Sequence, residues 1–126
     1  MRELERKELE EIMAKKVTDF WGMFYALCMK KELSNSAVYC NTPYDRKYFH
    51  KQTKKEAPQR DFVMWMTIGL KLNLKEATEL LAKAGYTFSD KIIKDRIFKF
   101  YIEHEIYERF EIDDSIERYC PSKMSP

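Results

Sequence analysis

The segment from residue 62 to residue 72 constrains the fold more than any other part of the chain, because it is apolar around most of a helix's circumference. A helix of this kind needs neighbours on nearly every side, so the segment predicts a core helix surrounded by other elements. Helical periodicity dominates almost everywhere else, no segment has a convincing strand pattern, and the chain has only three glycines. We therefore expect an all-α fold. The apolar residues of the segment are Phe62, Val63, Trp65, Met66, Ile68, Gly69, Leu70 and Leu72.

Length and cysteine content narrow the class of protein. A chain of 126 residues can bury its own core, which predicts a single domain over residues 1–126. No apolar run approaches the roughly 20 residues needed to cross a membrane. Cys28, Cys40 and Cys120 have no regular spacing and follow a charged N-terminus, which predicts reduced thiols in a cytoplasmic protein. Cys28 and Cys40 are expected to be small buried side chains. The histidines and cysteines lack the close pairs of a zinc site, so we expect no metal and no cofactor.

The N-terminal half divides into three predicted helices. Residues 1–16 alternate acids and bases and are expected to form a charged helical extension that runs on to residue 31. Ser34 is placed to cap a short second helix. The sequence predicts two alternative N-termini for a third helix. Thr42 with Asp45 resembles a capping box, and Asp45 alone is also a suitable N-cap. In the first case Pro43 occupies the first helical position. The charge pairs of the extension are Glu3 with Lys7 and Glu11 with Lys15, and its apolar stripe is Phe20, Met23, Phe24, Leu27 and Cys28.

Cap residues also mark the helices of the C-terminal half. Capping boxes and a glycine stop divide it into the core helix and three further helices. Residues 121–126 are expected to form a loose tail. The predicted starts are Pro58, Asn73 with Glu76, Ser89 or Asp90, and Asp114 with Glu117, and the predicted stop is Gly85.

Charge is unevenly distributed along the chain although its net value is only +2. Residues 30–60 contain eight Lys or Arg against three Asp or Glu, and residues 100–120 contain two against seven. This predicts one basic face and one acidic end. In the segment from residue 44 to residue 55, Phe49 is expected to face inward while basic residues share the outer surface. The alternative is a solvated, lysine-rich helix that binds nothing. The outward residues are Arg46, Lys47, His50, Lys51, Lys54 and Lys55, with Tyr44 and Tyr48 adding aromatic surface.

Two runs of sequence carry a resemblance to a known family. SAVYCNTPYDRKYFHK and FVMWMTIGLKLNLKEATELLAKAGY are similar to a lambda-repressor-like (Cro-like, XRE) helix-turn-helix domain, of a small type found in Firmicutes and their mobile elements. The following IIKDRIFKFYIEHEIYERFEIDDSI resembles the C-terminal extension of that type. The resemblance implies a five-helix helix-turn-helix core over residues 17–86 and additional C-terminal helices over residues 87–120.

The same resemblance implies a DNA-binding transcription regulator of phage or mobile-element origin. Its expected partner is double-stranded DNA, read by a recognition helix in the major groove. It also implies a homodimer, for which Phe98, Tyr101, Tyr107 and Phe110 are candidate interface residues. The expected DNA-binding residues are Tyr44, Arg46, Lys47, His50, Lys51, Lys54, Lys55 and Arg60.

Three departures from the helix-turn-helix pattern keep a second hypothesis open. Tyr39 stands where a small residue is preferred, Pro43 where Gly or Asn is common, and Gln52 where an apolar residue is expected. The alternative function is a degenerate helix-turn-helix that binds a protein partner, such as an inhibitor of a host nucleic-acid-handling defence complex. Either its basic face would mimic or compete for a nucleic-acid contact, or its acidic end, residues 103–114, would dock in a basic groove. No catalytic motif is present, so we do not expect an enzyme.

Overall fold

The computed structural model describes residues 3–55 and 58–120, with the backbone alone for residues 3–4 and 8–19. Within these ranges the chain is helical and contains no strand, which confirms the all-α class. None of the helices described is long and apolar enough to span a membrane. The helices are α1 (Glu3–Lys30), α2 (Asn35–Tyr39), α3 (Arg46–Gln52), α4 (Arg60–Gly69), α5 (Leu74–Lys83), α6 (Ile93–Glu103) and α7 (Arg109–Tyr119).

Helix α4 is the centre of the core, as its all-round apolar sequence predicts. Every residue from Phe62 to Leu70 is buried, and α4 packs against α2, α5 and α6. The Trp65 ring meets the Phe98 ring of α6 edge to face at 5.0 Å between centroids. This contact joins the C-terminal helices to the same core.

An aromatic cluster attaches α1 to the rest of the molecule. Phe20, Trp21 and Phe24 are buried, and the Trp21 ring lies 5.8 Å from Phe49 of α3. The predicted apolar stripe on α1 is therefore confirmed. The charge pairs predicted for residues 3–15 and the tail predicted for residues 121–126 lie outside the described residues and side chains.

Several predicted helix ends are confirmed by their hydrogen bonds. The Ser34 hydroxyl accepts from the Ala37 N–H at 3.1 Å, which caps α2. Asn73 and Glu76 form both bonds of a capping box at the start of α5. Gly85 has a φ of +88° and follows the end of α5, where the left-handed conformation suits glycine.

Three predicted helix starts are wrong. Helix α4 begins at Arg60, after Gln59, so Pro58 lies before the helix. Helix α6 begins at Ile93, because Ser89 is used in the preceding turn, where its N–H donates to Asp95 and its hydroxyl accepts from the Lys91 N–H.

The start of α7 also differs from the prediction. Asp114 with Glu117 does not cap this helix, which begins at Arg109 and contains Asp114 within it. The Tyr107 hydroxyl donates to the Leu72 carbonyl and anchors the connection from α6, so α7 begins directly after that anchor.

The three cysteines are free thiols with different environments. Cys28 is buried, and desolvation raises the pKa of its thiol. Cys120 is partly exposed. Cys40 is exposed, which contradicts its predicted burial, because it follows the last residue of the short helix α2 and is turned away from the core face of Val38.

Candidate nucleic-acid interface

Asp45 sets the start of α3. Its carboxylate accepts from the Tyr48 N–H at 2.8 Å, which selects Asp45 over Thr42 as the cap. Thr42 is buried, and its hydroxyl donates to the Tyr39 carbonyl at 2.6 Å, so it stabilises the preceding turn instead. Pro43 consequently lies outside the helix. Helix α3 (Arg46–Gln52) is therefore shorter than the helix that the sequence predicts over residues 44–55.

Helix α3 packs against the core through two buried side chains. Phe49 is buried among the aromatic rings of α1 and α4, as predicted. Gln52 is also buried, and its Oε1 atom has no hydrogen-bond partner. The end of the segment is held by Trp21, whose indole N–H donates to the Lys55 carbonyl at 2.9 Å. These contacts fix which side of α3 faces solvent.

The solvent-facing side of α3 is basic. Its first turn and its last turn both present exposed basic side chains, and Lys54 continues the surface beyond the helix end. Lys55 is half-buried at the edge. Among the residues that the structure describes, none of these side chains pairs with a carboxylate. We call this surface the basic face, and its members are Arg46, Lys47, His50, Lys51, Lys54 and Lys55.

Tyr44 and Tyr48 form the edge of the basic face nearest the core. Their rings stack with centroids 4.7 Å apart, and both rings pack on Phe62. The Tyr48 hydroxyl donates to the Gln59 side-chain carbonyl at 2.9 Å. Burial raises the pKa of Tyr44, with smaller contributions from nearby carboxylates. Tyr44 precedes α3 and is half-buried, so its ring mainly packs against Tyr48 and Phe62 and offers little surface to solvent.

Arg60, the remaining predicted DNA contact, is engaged inside the protein. Its guanidinium forms an ion pair with the buried Asp95, donates to the Thr87 carbonyl and lies over the Tyr86 ring. The hydrogen bond to Asp95 raises the pKa of Arg60. The sequence gives no signal for this pairing, since 35 residues separate the two partners.

The connection between α2 and α3 is longer than a tight turn. It runs over residues 40–45, whereas helix-turn-helix units commonly use three or four residues. Tyr39 packs on Phe49 with ring centroids 5.2 Å apart and so fills space between the two helices. Asn41 donates from its side-chain amide to the Tyr107 carbonyl at 2.9 Å. The C-terminal helices are thereby attached to this connection.

The predicted acidic end is exposed around the connection between α6 and α7. Five of its carboxylates face solvent. Asp113 is half-buried near Arg109, with 3.6 Å between Nε and the carboxylate, and desolvation raises its pKa. The exposed members are Glu103, Glu105, Glu108, Glu111 and Asp114.

Comparisons of the chain with protein-family models, with curated proteins and with solved structures found no match. The basic face is therefore interpreted from its own geometry and charge.

Proposed function

We propose that this chain is a small helix-turn-helix DNA-binding regulator in which α2 and α3 form the two-helix unit and α3 enters the major groove. One observation carries the proposal. Helix α3 is anchored by Phe49 and by the Trp21 bond to Lys55, yet its outer side presents a row of basic side chains, none of which forms an ion pair with a carboxylate of the described residues. A fixed, unneutralised basic helix suits a polyanion because binding releases the counterions condensed on DNA.

The chemistry of the basic face divides the contacts into two kinds. Arg46 can make paired hydrogen bonds with a guanine edge, because the guanidinium presents two parallel N–H donors. Lys47 and Lys51 supply base or phosphate contacts, and Lys54 and Lys55 hold backbone phosphates beyond the helix end. We leave Arg60 out of the interface because Asp95 already holds its guanidinium. The family resemblance adds a phage or mobile-element origin, a cytoplasmic location and a role in transcription to this proposal.

Fluorescence anisotropy with labelled duplex DNA over a salt series tests the proposal. The affinity should fall steeply with salt, and Lys47→Ala with Lys51→Ala should reduce the logarithmic salt slope by about 2, because two phosphate contacts are lost. The control is Lys75→Ala with Lys91→Ala, which removes two exposed charges outside the basic face. Circular dichroism establishes that each variant is folded. No binding at low salt, or an unchanged slope in the folded Lys47/Lys51 variant, would contradict the proposal.

A second candidate function is a protein-binding module built on the same fold. The long connection at residues 40–45 and the exposed acidic end favour it, because a basic groove on a protein partner would complement those carboxylates. A pull-down that recovers a single protein without DNA supports this candidate. The recovery should then fall when Glu103, Glu105 and Glu108 are changed to Gln, and should not respond to Lys47→Ala with Lys51→Ala.

A further inference from the structure

A groove of about 550 Å³ lies between α6 and α7 on the C-terminal part of the molecule. Helical spacing explains its two walls, because side chains three or four residues apart share one face of a helix. Ser115 and Tyr119 are related in this way on α7. The α6 wall consists of Ile93, Arg96, Ile97, Phe100 and Tyr101.

Most of the lining is apolar although it faces solvent. Ile93 is 45% exposed, Phe100 50% and Tyr119 61%. Large apolar side chains grouped at this exposure are typical of a contact surface. A concave site of this volume with mainly apolar walls is also typical of small-molecule binding, in which a few polar groups orient the ligand.

The aromatic wall at Phe100 is held in place by its neighbours. The His104 ring lies 4.2 Å from the Phe100 ring between centroids, and the Tyr101 ring meets it edge to face at 5.4 Å. The His104 Nδ1 atom lies 2.8 Å from the Phe100 carbonyl oxygen, which fixes the imidazole. A ligand that packs on Phe100 therefore has little side-chain ordering to bring about.

Arg96 is the one charged side chain that lines the groove among the residues that the structure describes. It is exposed, and none of the carboxylates in the described ranges forms an ion pair with it. The neighbouring Asp95 is buried and already paired with Arg60. The Arg96 guanidinium thus offers parallel N–H donors that match the two oxygens of a carboxylate.

Two hydroxyl groups add a polar point to the groove. The hydroxyls of Tyr101 and Ser115 lie 2.5 Å apart, and Tyr101 is only 7% exposed, so the pair lies at the base of the groove. Two hydroxyls carry two hydrogens, and their mutual hydrogen bond uses one of them. The other hydrogen can be donated to an acceptor on a bound molecule. Tyr101, which the sequence suggests for a dimer interface, therefore belongs to the base of this groove.

We propose that the groove binds a small amphipathic carboxylate. Its apolar body packs along Ile97 and Phe100, and its single anionic group pairs with Arg96. One guanidinium in an otherwise uncharged lining suits a ligand with one negative charge, and the apolar walls favour a body that leaves water. This binding site goes beyond the proposed function, and its test contains no DNA.

Titration of the full chain with naphthoate, followed by the amide chemical shifts of the protein, tests the inference. Binding should be saturable with a Kd of about 1 mM or below, and the shifts should be concentrated in α6 and α7. Naphthamide has the same apolar body without the charge. It should bind about fivefold or more weakly than naphthoate, because the charged pair with Arg96 is lost.

Three variants assign the contacts. Arg96→Ala should weaken naphthoate binding about fivefold or more and change naphthamide binding by less than about twofold. Arg118→Ala is the matched control, because it removes an exposed arginine of α7 that does not line the groove, and both affinities should stay the same. Phe100→Ala should weaken both probes alike, since it removes the aromatic wall. Circular dichroism verifies folding in every case.

Several results would overturn the inference. They are an absence of saturable binding up to about 10 mM, equal affinities for the two probes, and equal losses in Arg96→Ala and Arg118→Ala. Shifts confined to the basic face would also overturn it, because naphthoate would then be held by the cations of α3. That last result would leave the proposed function standing.

Discussion

Gly69 lies directly against Val38, so that a Cβ atom built on the glycine would come within 2.5 Å of the Val38 carbonyl oxygen. The contact joins the end of α4 to the buried side of α2, and the obstacle is backbone that cannot simply rotate away. A small residue is therefore required on α4 for α2 to pack closely, and α2 in turn precedes the basic helix α3.

The first prediction concerns this contact. Gly69→Ala should lower the free energy of unfolding by about 1–3 kcal/mol, because overpacking a buried contact forces the backbone apart. The matched control is Gly22→Ala on α1, where nothing lies within 4 Å of the added Cβ. That change should stabilise the protein by about 0.5–1 kcal/mol through higher helix propensity. Urea unfolding measures both, and equal effects of the two substitutions would contradict the prediction.

A second prediction separates the structural role of Arg60 from the DNA role suggested by the sequence. Arg60→Ala should lower the free energy of unfolding by about 3 kcal/mol, because Asp95 is only 2% exposed and would keep a buried charge without its partner. Lys54→Ala, which removes an exposed cation, should change it by less than about 0.5 kcal/mol. Denaturant unfolding measures the change in the free energy of unfolding for each variant. A small effect of Arg60→Ala would return this side chain to the candidate interface.

Local signals in the sequence predict much of this fold correctly. The apolar sequence of α4, the capping box of Asn73 with Glu76 and the stop at Gly85 each depend on neighbouring residues, so the chain alone reveals them. The helix starts at Arg60 and Ile93 could not be read in this way. Neither start has a side-chain cap, so no cap residue in the local sequence marks it.

The residues of the candidate sites also divide into those that a local sequence pattern predicts and those that only the tertiary structure reveals. The inward direction of Phe49 follows from helical spacing, and the structure confirms it. The engagement of Arg60 by Asp95 and the exposure of Phe100 depend on how α6 packs against the core, which no local pattern indicates. Sequence spacing therefore predicts which face of one helix is polar. It does not predict which charges the tertiary fold will pair.

A third prediction follows from the pKa of Glu76. Desolvation opposes ionisation of this carboxyl, but the hydrogen bonds from the Asn73 N–H and from Lys30, together with the charge of Lys31, lower its pKa overall. A lowered folded-state pKa stabilises the protein above the unfolded value of about 4.3, and the contribution is lost as pH falls through the folded-state pKa.

Glu76→Gln isolates this contribution, because Gln keeps an oxygen for the capping box and removes the charge. The variant should be less stable than the wild type by about 0.5–1 kcal/mol at neutral pH, since Lys30 is largely exposed. The difference should shrink as the pH is lowered below about 4. The raised pKa of Asp113 makes the stability change with pH in the opposite direction. Because Asp113 is present in both proteins, its contribution cancels in the difference between their stabilities. Thermal unfolding from pH 7 to pH 3 measures the effect, and a difference independent of pH would contradict it.

The last prediction concerns Asp45, the one carboxylate that lines a shallow depression on the basic face with Arg46, Lys47 and His50. Its carboxylate caps α3 but also repels a phosphate that approaches the same surface. Asn caps a helix about as well as Asp, so Asp45→Asn should leave stability within about 0.5 kcal/mol while strengthening DNA binding several-fold at low salt. Asp45→Ala also removes the charge but loses the bond to the Tyr48 N–H, and should cost about 1 kcal/mol of stability. Anisotropy titrations and urea unfolding of the two variants separate the charge from the cap. Unchanged or weaker DNA binding by Asp45→Asn would mean that phosphates do not approach this end of α3.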